Sequence, residues 1–342
     1  MRKSLLALLL LVAVGGLAHA AVTLKDGHPE QYTVVKGDTL WDISGRFLKE
    51  PWKWPELWHA NPQVENPHLI YPGDSLSLVY IDGQPRIVLN RGASRGTIKL
   101  SPTIRTTPMA EAISTIPLEA INSFLLSNRI VDNVAEFEAA PYIVAGNAER
   151  VISGAGDRVY GRGNFQDDIK VYGIFRQGKT YVDPETQEFL GINADDVGTA
   201  ELLDMEGDIA TMMLTRVTQE ARLGDRMFPS EERAVNSTFM PSEPKGEVNG
   251  VILDVPRGVT QIGQFDVVTL NKGARDGLSV GNVLAVYKTG ETVRDRVTGE
   301  RVKIPDERSG LLMVFRTYDK LSYGLVLQAT RSLSVMDKVR NP

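Results

Sequence analysis

Residues 31–43 have the sequence QYTVVKGDTLWDI, and this stretch decides the fold of the N-terminal part of the chain. The β-branched and aromatic residues at 31–35 predict a short strand, and Lys36-Gly37-Asp38 predicts the turn that ends it. Thr39 is followed three residues later by Asp42, which is the form of a capping box and predicts a helix from residue 40. Apolar residues at 40, 43 and 47 mark the buried face of that helix.

A second helix and a closing strand follow the first helix. The sequence WPELWHAN at 54–61 predicts a helix, because proline is favoured in a first helical turn and asparagine at a helix end. YPGD at 71–74 predicts a turn, and the alternating SLSLV at 75–79 predicts a strand. The sequence therefore predicts a β-α-α-β module over residues 31–80.

This module resembles the LysM module in four blocks, which are YTV at 32–34, GDTLWDI at 37–43, NP at 61–62 and LIYPGD at 69–74. LysM modules bind glycans that contain N-acetylglucosamine, so the resemblance implies peptidoglycan as the ligand of an exported bacterial protein. In that family the sugar lies between two loops. The matching glycan-binding positions here are Gly37, Asp38, Thr39 and Leu40 in the first loop and Pro67, His68, Leu69, Ile70 and Tyr71 in the second.

The chemistry of these loops fits a neutral, acetylated sugar. Backbone N–H and C=O groups can bond the acetamide and hydroxyl groups, and apolar side chains can cover the sugar faces. No metal or other cofactor is expected, and His68 is interpreted as a loop residue because no other His or Cys accompanies it. An insert, KEPWKW at 49–54, departs from a minimal LysM module. Its tryptophans either enlarge the core, which we favour, or stack on sugar.

The first 20 residues have the three parts of a secretory signal peptide. Arg2 and Lys3 form a basic region, residues 5–17 are apolar, and Ala18-His19-Ala20 is a small-x-small cleavage site. The apolar stretch is shorter than the roughly 20 residues that a spanning helix needs. We therefore expect a protein exported to the periplasm without a membrane anchor.

The composition excludes several classes of function. The 342 residues include no cysteine, which removes disulfides, thiol nucleophiles and Cys-ligated metals. All four histidines lie before residue 69, so zinc peptidase chemistry is not expected in the remainder. The formal net charge is −5, and −7 without Arg2 and Lys3, which argues against nucleic acid or an anionic membrane surface as a partner.

The C-terminal half contains an internal repeat. Residues 171–227 align with 283–339 without a gap, and ten of the 57 positions are identical, against roughly three to four expected by chance. An offset of 109 continues the match upstream, so the repeats are placed at 141–229 and 250–342. Runs of β-forming residues separated by turns predict that each repeat is a small β barrel or sandwich.

The segments between these units are less regular. Residues 81–140 are predicted to be a connector with one helix that begins at Pro117 and presents Ile121, Phe124 and Leu125 on its apolar face. A role of this connector in binding a partner stays open. Residues 230–249 have the composition of a linker. The fold class is therefore α+β: a small βααβ module, a connector and two repeated, mainly-β domains.

Acidic residues recur in both repeats, as in Glu188 and Glu300 or Asp225 and Asp337. Such residues can act as general acids and bases, but next to Gly and Thr in β turns they more often bond the local backbone. We favour the second interpretation and predict no catalytic residue. The segment GRGN at 161–164 is not a phosphate-binding loop, since no helical pattern follows it.

The whole arrangement is similar to the type IV pilus secretin-associated protein family, in which a signal peptide and one LysM module precede a β region. The resemblance implies a non-enzymatic protein, present in several copies, that anchors an outer-membrane secretin ring to peptidoglycan. Two alternatives stay open: a peptidoglycan-remodelling hydrolase, and an adaptor of a flagellar ring or another envelope machine. The first lacks the His and Cys residues that most such hydrolases use.

Overall fold

The fold was analysed in a computed structural model that describes residues 22–58, 70–90, 113–147, 151–166, 168–230, 239–256 and 261–342. The predicted signal peptide at 1–20 lies outside the described residues. The N-terminal module contains β1 (Gln31–Thr33), α1 (Leu40–Phe47), a 3₁₀ turn (Pro51–Lys53), α2 (Trp54–Trp58), β2 (Ser75–Ile81) and β3 (Gln84–Asn90). The predicted βααβ module is thus confirmed, with β3 as a third strand of its sheet in the order β1-β2-β3.

Local sequence signals explain why this module folds. The Thr39 side chain accepts a hydrogen bond from the Asp42 N–H, and the Asp42 carboxylate accepts one from the Thr39 N–H, so the predicted capping box is formed. The predicted apolar stripe is buried: Leu40, Ile43 and Phe47 have no exposed surface. Burying each such side chain stabilises a fold by roughly 1.5–3 kcal/mol, which allows a module of about 60 residues to hold its own core.

The predicted connector is built into the units on either side. It contributes β3 to the N-terminal sheet and then forms α3 (Leu118–Ser127), β4 (Asn128–Val131) and α4 (Val134–Ala139). Ile121 and Phe124 of α3 are buried, as the predicted apolar face requires. Strand β4 pairs with a long strand of the first repeat, so this segment is not a free tether.

The first repeat is a six-stranded ring of antiparallel strands. Its strands are β5 (Tyr142–Gly146), β6 (Ile152–Ser153), β7 (Arg158–Arg162), β8 (Val171–Val182), β9 (Phe189–Glu206), β10 (Ile209–Val217), β11 (Ala221–Arg222) and β12 (Arg226–Pro229). The ring runs β5-β7-β10-β9-β8-β12 and returns to β5, and β4 is added outside β9. Short β6 and β11 pair with each other beside it.

The second repeat closes in the same order. Its strands are β13 (Asn249–Asp254), β14 (Val267–Leu270), β15 (Val283–Lys288), β16 (Thr292–Arg294), β17 (Arg301–Lys303), β18 (Glu307–Thr317), β19 (Ser322–Ala329) and β20 (Lys338–Arg340). The barrel runs β13-β14-β19-β18-β15-β20, and β16 pairs with β17 as a separate hairpin. The barrel form of both predicted repeats, rather than a sandwich, follows from this closure.

The outer face of the second barrel forms the centre of the molecule. Its apolar side chains contact Trp41 and Trp52 of the N-terminal module, Phe124 of α3, and Tyr181 and Leu190 from the first repeat. A separate cluster fills the barrel interior. Strands β15, β18 and β19 are apolar on both faces. One face of each strand therefore lies in the barrel interior, and the other packs against the neighbouring parts of the chain.

The predicted linker at 230–249 is also packed where it is described. Phe239 is buried in the central cluster, and its N–H donates to the Thr115 hydroxyl. The Ser242 N–H donates to Gly281 O, and the Val283 N–H donates to Ser242 O. The polar and proline-rich composition predicts a free linker, but the described part of this segment packs on the second barrel. No helix among the described residues is long and apolar enough to cross a membrane.

Candidate glycan-binding groove

The first predicted binding loop is fixed by Asp38. Its carboxylate accepts hydrogen bonds from the Tyr32 hydroxyl at 2.8 Å and from the Val35 N–H at 2.9 Å. Gly37 has a φ of 96°, a left-handed conformation that favours glycine. Burial of Tyr32, followed by its bond to Asp38, raises the pKa of the tyrosine above its ordinary value. Asp38 therefore shapes this loop, and its carboxylate is already engaged.

The second predicted loop is described only from Ile70 onward, and Pro67, His68 and Leu69 lie outside the described residues. Ile70 has no exposed surface and belongs to the core of the module. The Tyr71 N–H donates to the Asp74 carboxylate at 3.0 Å, which forms the predicted turn.

The two predicted loops lie side by side. The Gly73 N–H donates to Val34 O at 2.8 Å, and the Val34 N–H donates to Asp74 O at 2.9 Å. Val34 precedes the first loop, and the Tyr71–Asp74 turn ends the second, so these bonds join the loops at their bases. The described positions of the predicted groove are therefore brought together.

A segment of the connector crosses between the two loops. We call residues 113–116, Ile113-Ser114-Thr115-Ile116, the crossing segment. The Ile113 N–H donates to Ile70 O at 2.9 Å on one side, and the N–H of Leu40 donates to Ser114 O at 3.0 Å on the other. The Trp41 N–H donates to Thr115 O at 3.2 Å. The protein's own backbone thus fills this part of the groove.

The bonds to the crossing segment use groups that would suit a sugar ligand. Leu40 and Trp41 are the first residues of α1, where N–H groups have no partner inside the helix. The acetamide of N-acetylglucosamine has one C=O acceptor and one N–H donor, as a peptide group does. The crossing segment therefore presents to the groove the chemistry of the expected ligand. No helical or strand period in its sequence predicts this placement.

Trp52 and Trp54 of the insert and the nearby Trp58 are buried, which favours the interpretation that they enlarge a core. Trp54 and Trp58 belong to the core of the module, and Trp52 packs with Trp41 against the second barrel. The exposed fractions of Trp52, Trp54 and Trp58 are 6%, 1% and 7%. Stacking of these rings on a sugar is not compatible with this arrangement.

A cleft of about 580 Å³ lies beside α1, between the module and the second barrel. Asp42, Arg46 and Lys49 line one side, and Gln264 and Gln328 line the other. The Arg46 guanidinium lies 4.6 Å from the centre of the Tyr32 ring, and the Asp42 carboxylate belongs to the capping box. Apolar side chains such as Trp41 and Leu327 also line the cleft, and Lys49 and Gln264 are bonded to Asp26 and Leu327 O.

The recurrent acids of the repeats bond to nearby backbone or to cations. Asp225 accepts from the Arg222 N–H, and Asp337 accepts from the Ser334 N–H, both at 2.8 Å. Arg176 donates two bonds of 2.8 Å to Asp225. These contacts agree with a turn-forming role. No cluster of three or more His, Cys, Asp and Glu side chains that could hold a metal occurs within the described ranges.

A family model for the LysM domain matches residues 32–79. The chain is also similar to "Uncharacterized protein YqbP" of Bacillus subtilis (strain 168), with 38% identity over 60 residues. That match covers 15% of this chain and 27% of the relative, so the chain spans about a quarter of the length of the protein it matches. Residues 32–79 are therefore a LysM domain, which implies peptidoglycan binding and an association with the cell wall.

Proposed function

We propose that this protein is a non-enzymatic periplasmic anchor between peptidoglycan and an outer-membrane secretin ring of the type IV pilus. The LysM domain holds glycan that contains N-acetylglucosamine, and the two barrels hold the protein partner. The LysM domain at residues 32–79 is the observation that carries the proposal. The predicted signal peptide and the order of one LysM domain before two β repeats support the remainder.

Glycan binding in the groove requires an exchange of partners. The N–H of Leu40 and the carbonyl of Ile70 are bonded to the crossing segment, so a sugar can reach them only when that segment leaves. The exchange replaces peptide hydrogen bonds by acetamide hydrogen bonds of the same kind. Its cost is the loss of the packing of Ile113 and Ile116, which are 6% and 1% exposed.

Several copies around a ring would compensate for a weak individual site. A domain that must first open its groove has an affinity reduced by the fraction of open molecules. When many such domains are attached to one ring, each further binding event is intramolecular and overall affinity increases. This supports an anchor made of many copies rather than a single tight receptor.

The first experiment is co-sedimentation of residues 21–342 with insoluble peptidoglycan sacculi, using Gly37→Trp as the groove variant. Gly27→Trp is the matched control, because both glycines have a positive φ and open space at the position of an added Cβ. We expect the wild type and Gly27→Trp to pellet, Gly37→Trp to remain in solution, and the sacculi to stay intact. Loss of turbidity of the sacculi would contradict the non-enzymatic assignment, and equal pelleting of both variants would contradict the groove.

The second experiment tests the partner by affinity capture with a purified type IV pilus secretin. We expect the barrels to retain the secretin when the LysM groove carries Gly37→Trp, because the two sites are separate. Capture of a flagellar ring component in place of the secretin would assign the protein to another envelope machine.

A further inference from the structure

Each repeat carries a protruding hairpin of the same construction. We define the first arm as residues 179–192 and the second arm as residues 291–304, which correspond at the repeat offset of 112. Asp183 accepts hydrogen bonds from backbone N–H groups at 185 and 186. Asp295 likewise accepts from the Val297 N–H and the Thr298 hydroxyl. The two arms are therefore equivalent elements of equivalent barrels.

The first arm docks on the second barrel. Arg275 donates two bonds of 2.7 Å to Glu188, and Lys320 lies 2.8 Å from the same carboxylate. The Asn271 side chain donates to Asp183 at 2.8 Å, and the Tyr181 hydroxyl donates to Asp254 at 3.0 Å. Glu188 of the arm thus lies against two cations of the second barrel, while Lys179 and Tyr181 of the arm bind the acidic Asp254 of that barrel.

The second arm is exposed where the first arm is buried. Tyr181, Leu190 and Ile192 of the first arm are 3%, 0% and 1% exposed. Their counterparts in the second arm, also apolar, are 39%, 46% and 40% exposed: Val293, Val302 and Ile304. Among the residues that the structure describes, nothing covers this apolar face. The second arm therefore has the form of a docking element whose receiving site lies on another molecule.

The charge of the second arm is opposite to that of the first. The first arm has three acidic residues and one lysine, whereas the second has four cations and three acids. Arg296, Arg301 and Lys303 are exposed, and within the described ranges none of them is paired with a carboxylate. An acidic surface would therefore complement these three cations.

The first barrel provides an acidic site at the equivalent place. Lys320, which binds the first arm, corresponds to Asp208 at the same β-turn of the first repeat. Glu201, Asp204 and Glu206 are exposed on β9 just before this turn, and among the described residues only Asp208 of these four acids has an ion pair, with Arg162 at 2.9 Å. Glu300, the counterpart of Glu188, is still acidic, so the opposite charges lie elsewhere: in Arg296, Arg301 and Lys303 of the arm and in Glu201, Asp204 and Glu206 of the face.

Apolar surface also remains on this face of the first barrel. Val171 and Leu203 are 43% and 48% exposed, and they correspond to Val283 and Phe315, which are buried in the second barrel. The whole repeats have complementary charge as well. Residues 141–229 contain nine cations and fifteen acids, whereas residues 250–342 contain fourteen cations and ten acids.

We propose that the second arm of one molecule docks on the outer face of the first barrel of a second copy of this chain, around Leu203, Asp204 and Glu206. The exposed apolar side chains of the arm and of this face can cover one another, and the cations of the arm opposite the acids of the face select the first barrel as the receiver. The contact is head-to-tail, so each copy offers its second arm to one neighbour and its receiving face to another. Repetition of such a contact produces a ring if it closes and a filament if it does not.

Sedimentation velocity of residues 21–342 over a range of concentrations tests this self-association. Arg296→Glu/Arg301→Glu reverses the charge of the second arm, and Asp204→Lys/Glu206→Lys reverses the charge of the receiving face. Lys36→Glu/Lys245→Glu is the control for the arm, since it makes the same change of net charge as the arm variant at exposed lysines outside both surfaces. We expect each reversal to raise the dissociation constant at least about tenfold and the control to leave it unchanged.

The chain that carries both reversals provides the decisive outcome. Its arm is acidic and its receiving face basic, so self-association should return to within a few-fold of the wild type. A wild type that remains monomeric at all concentrations would overturn the proposal, as would failure of the combined variant to restore association although each variant is folded. Binding of the second arm to the secretin alone, with no self-association, would assign the arm to that partner instead. None of these outcomes depends on glycan binding.

Discussion

The main-chain N–H of Leu40 donates a hydrogen bond of 3.0 Å to the main-chain oxygen of Ser114, across 74 positions of sequence. This bond joins the first turn of α1 to the crossing segment and closes one side of the LysM groove. Because the Ile113 N–H bonds to Ile70 O on the other side, the segment bridges the described parts of the two loops. Under the proposed function, access of glycan to these backbone groups requires movement of the crossing segment.

We expect Ile113→Ser/Ile116→Ser to strengthen binding of an N-acetylglucosamine tetramer. Both isoleucines are buried, so the substitutions weaken the packing of the crossing segment but leave the groove backbone intact. A larger open fraction lowers the apparent dissociation constant in proportion, on the order of threefold to tenfold here. Isothermal titration calorimetry measures the change.

The matched control for this prediction is Ile113→Val/Ile116→Val, which keeps the packing nearly intact. The backbone N–H signals of residues 40, 41 and 113, followed by NMR, should shift during the titration. A tetramer that binds without perturbing these three signals would show that the sugar uses another face of the LysM domain.

We expect Trp52→Ala to uncouple the LysM domain from the second barrel. Trp52 is 6% exposed and packs in the central cluster, and removal of such a buried ring typically costs about 3–5 kcal/mol. Urea unfolding followed by tryptophan fluorescence should show an additional transition at low urea for this variant. Trp52→Phe is the control, because the indole N–H has no hydrogen-bond partner in the described structure and its loss should have little effect. A single transition for Trp52→Ala at the wild-type midpoint would contradict the coupling.

The LysM fold could be predicted because its signals are local. The capping box of Thr39 and Asp42 and the turn at 71–74 each lie within four residues. The crossing segment could not be predicted in the same way, because Ser114 and Leu40 meet only after the chain has folded. For the candidate site, the sequence therefore predicts the two loops, whose described parts lie side by side, but it does not predict the segment between them.

The barrels were also predictable from β patterning and self-similarity, whereas their unequal roles were not. Glu201 and Leu203 of the first repeat correspond to Met313 and Phe315 of the second, and only the latter pair is buried. The unbroken apolar run LLMVF at 311–315 was the available signal, because a strand buried on both faces has no polar alternation. Which part of the chain covers the outer face of each barrel depends on contacts between residues that are distant in sequence.

We expect Gly198→Ala and Gly310→Ala to destabilise their respective barrels. These glycines are equivalent in the repeat, and an added Cβ would lie 2.1 Å from Arg216 O at the first and 2.6 Å from Gln328 O at the second. The opposing backbone must therefore move, at a cost of about 1–3 kcal/mol or more. Thermal unfolding should show the larger effect for Gly198→Ala. Gly246→Ala has open space at its Cβ and should be neutral; destabilisation by this control equal to that of Gly198→Ala would contradict the steric explanation.

We expect docking of the first arm to weaken in acid through Glu188. Hydrogen bonds from Arg275 and then Lys320 lower the pKa of this carboxyl from 4.5 to about 2. A carboxyl whose pKa is lowered by folding contributes stability above its ordinary pKa, and that contribution is lost as the pH falls from about 4.5 towards 2. The measurement is the melting temperature as a function of pH for the wild type and Glu188→Gln. The wild type should exceed the variant at pH 7, and their difference should shrink across this window because protonated Glu188 resembles glutamine. A difference that stays constant down to pH 2 would show that Glu188 acts through packing rather than charge.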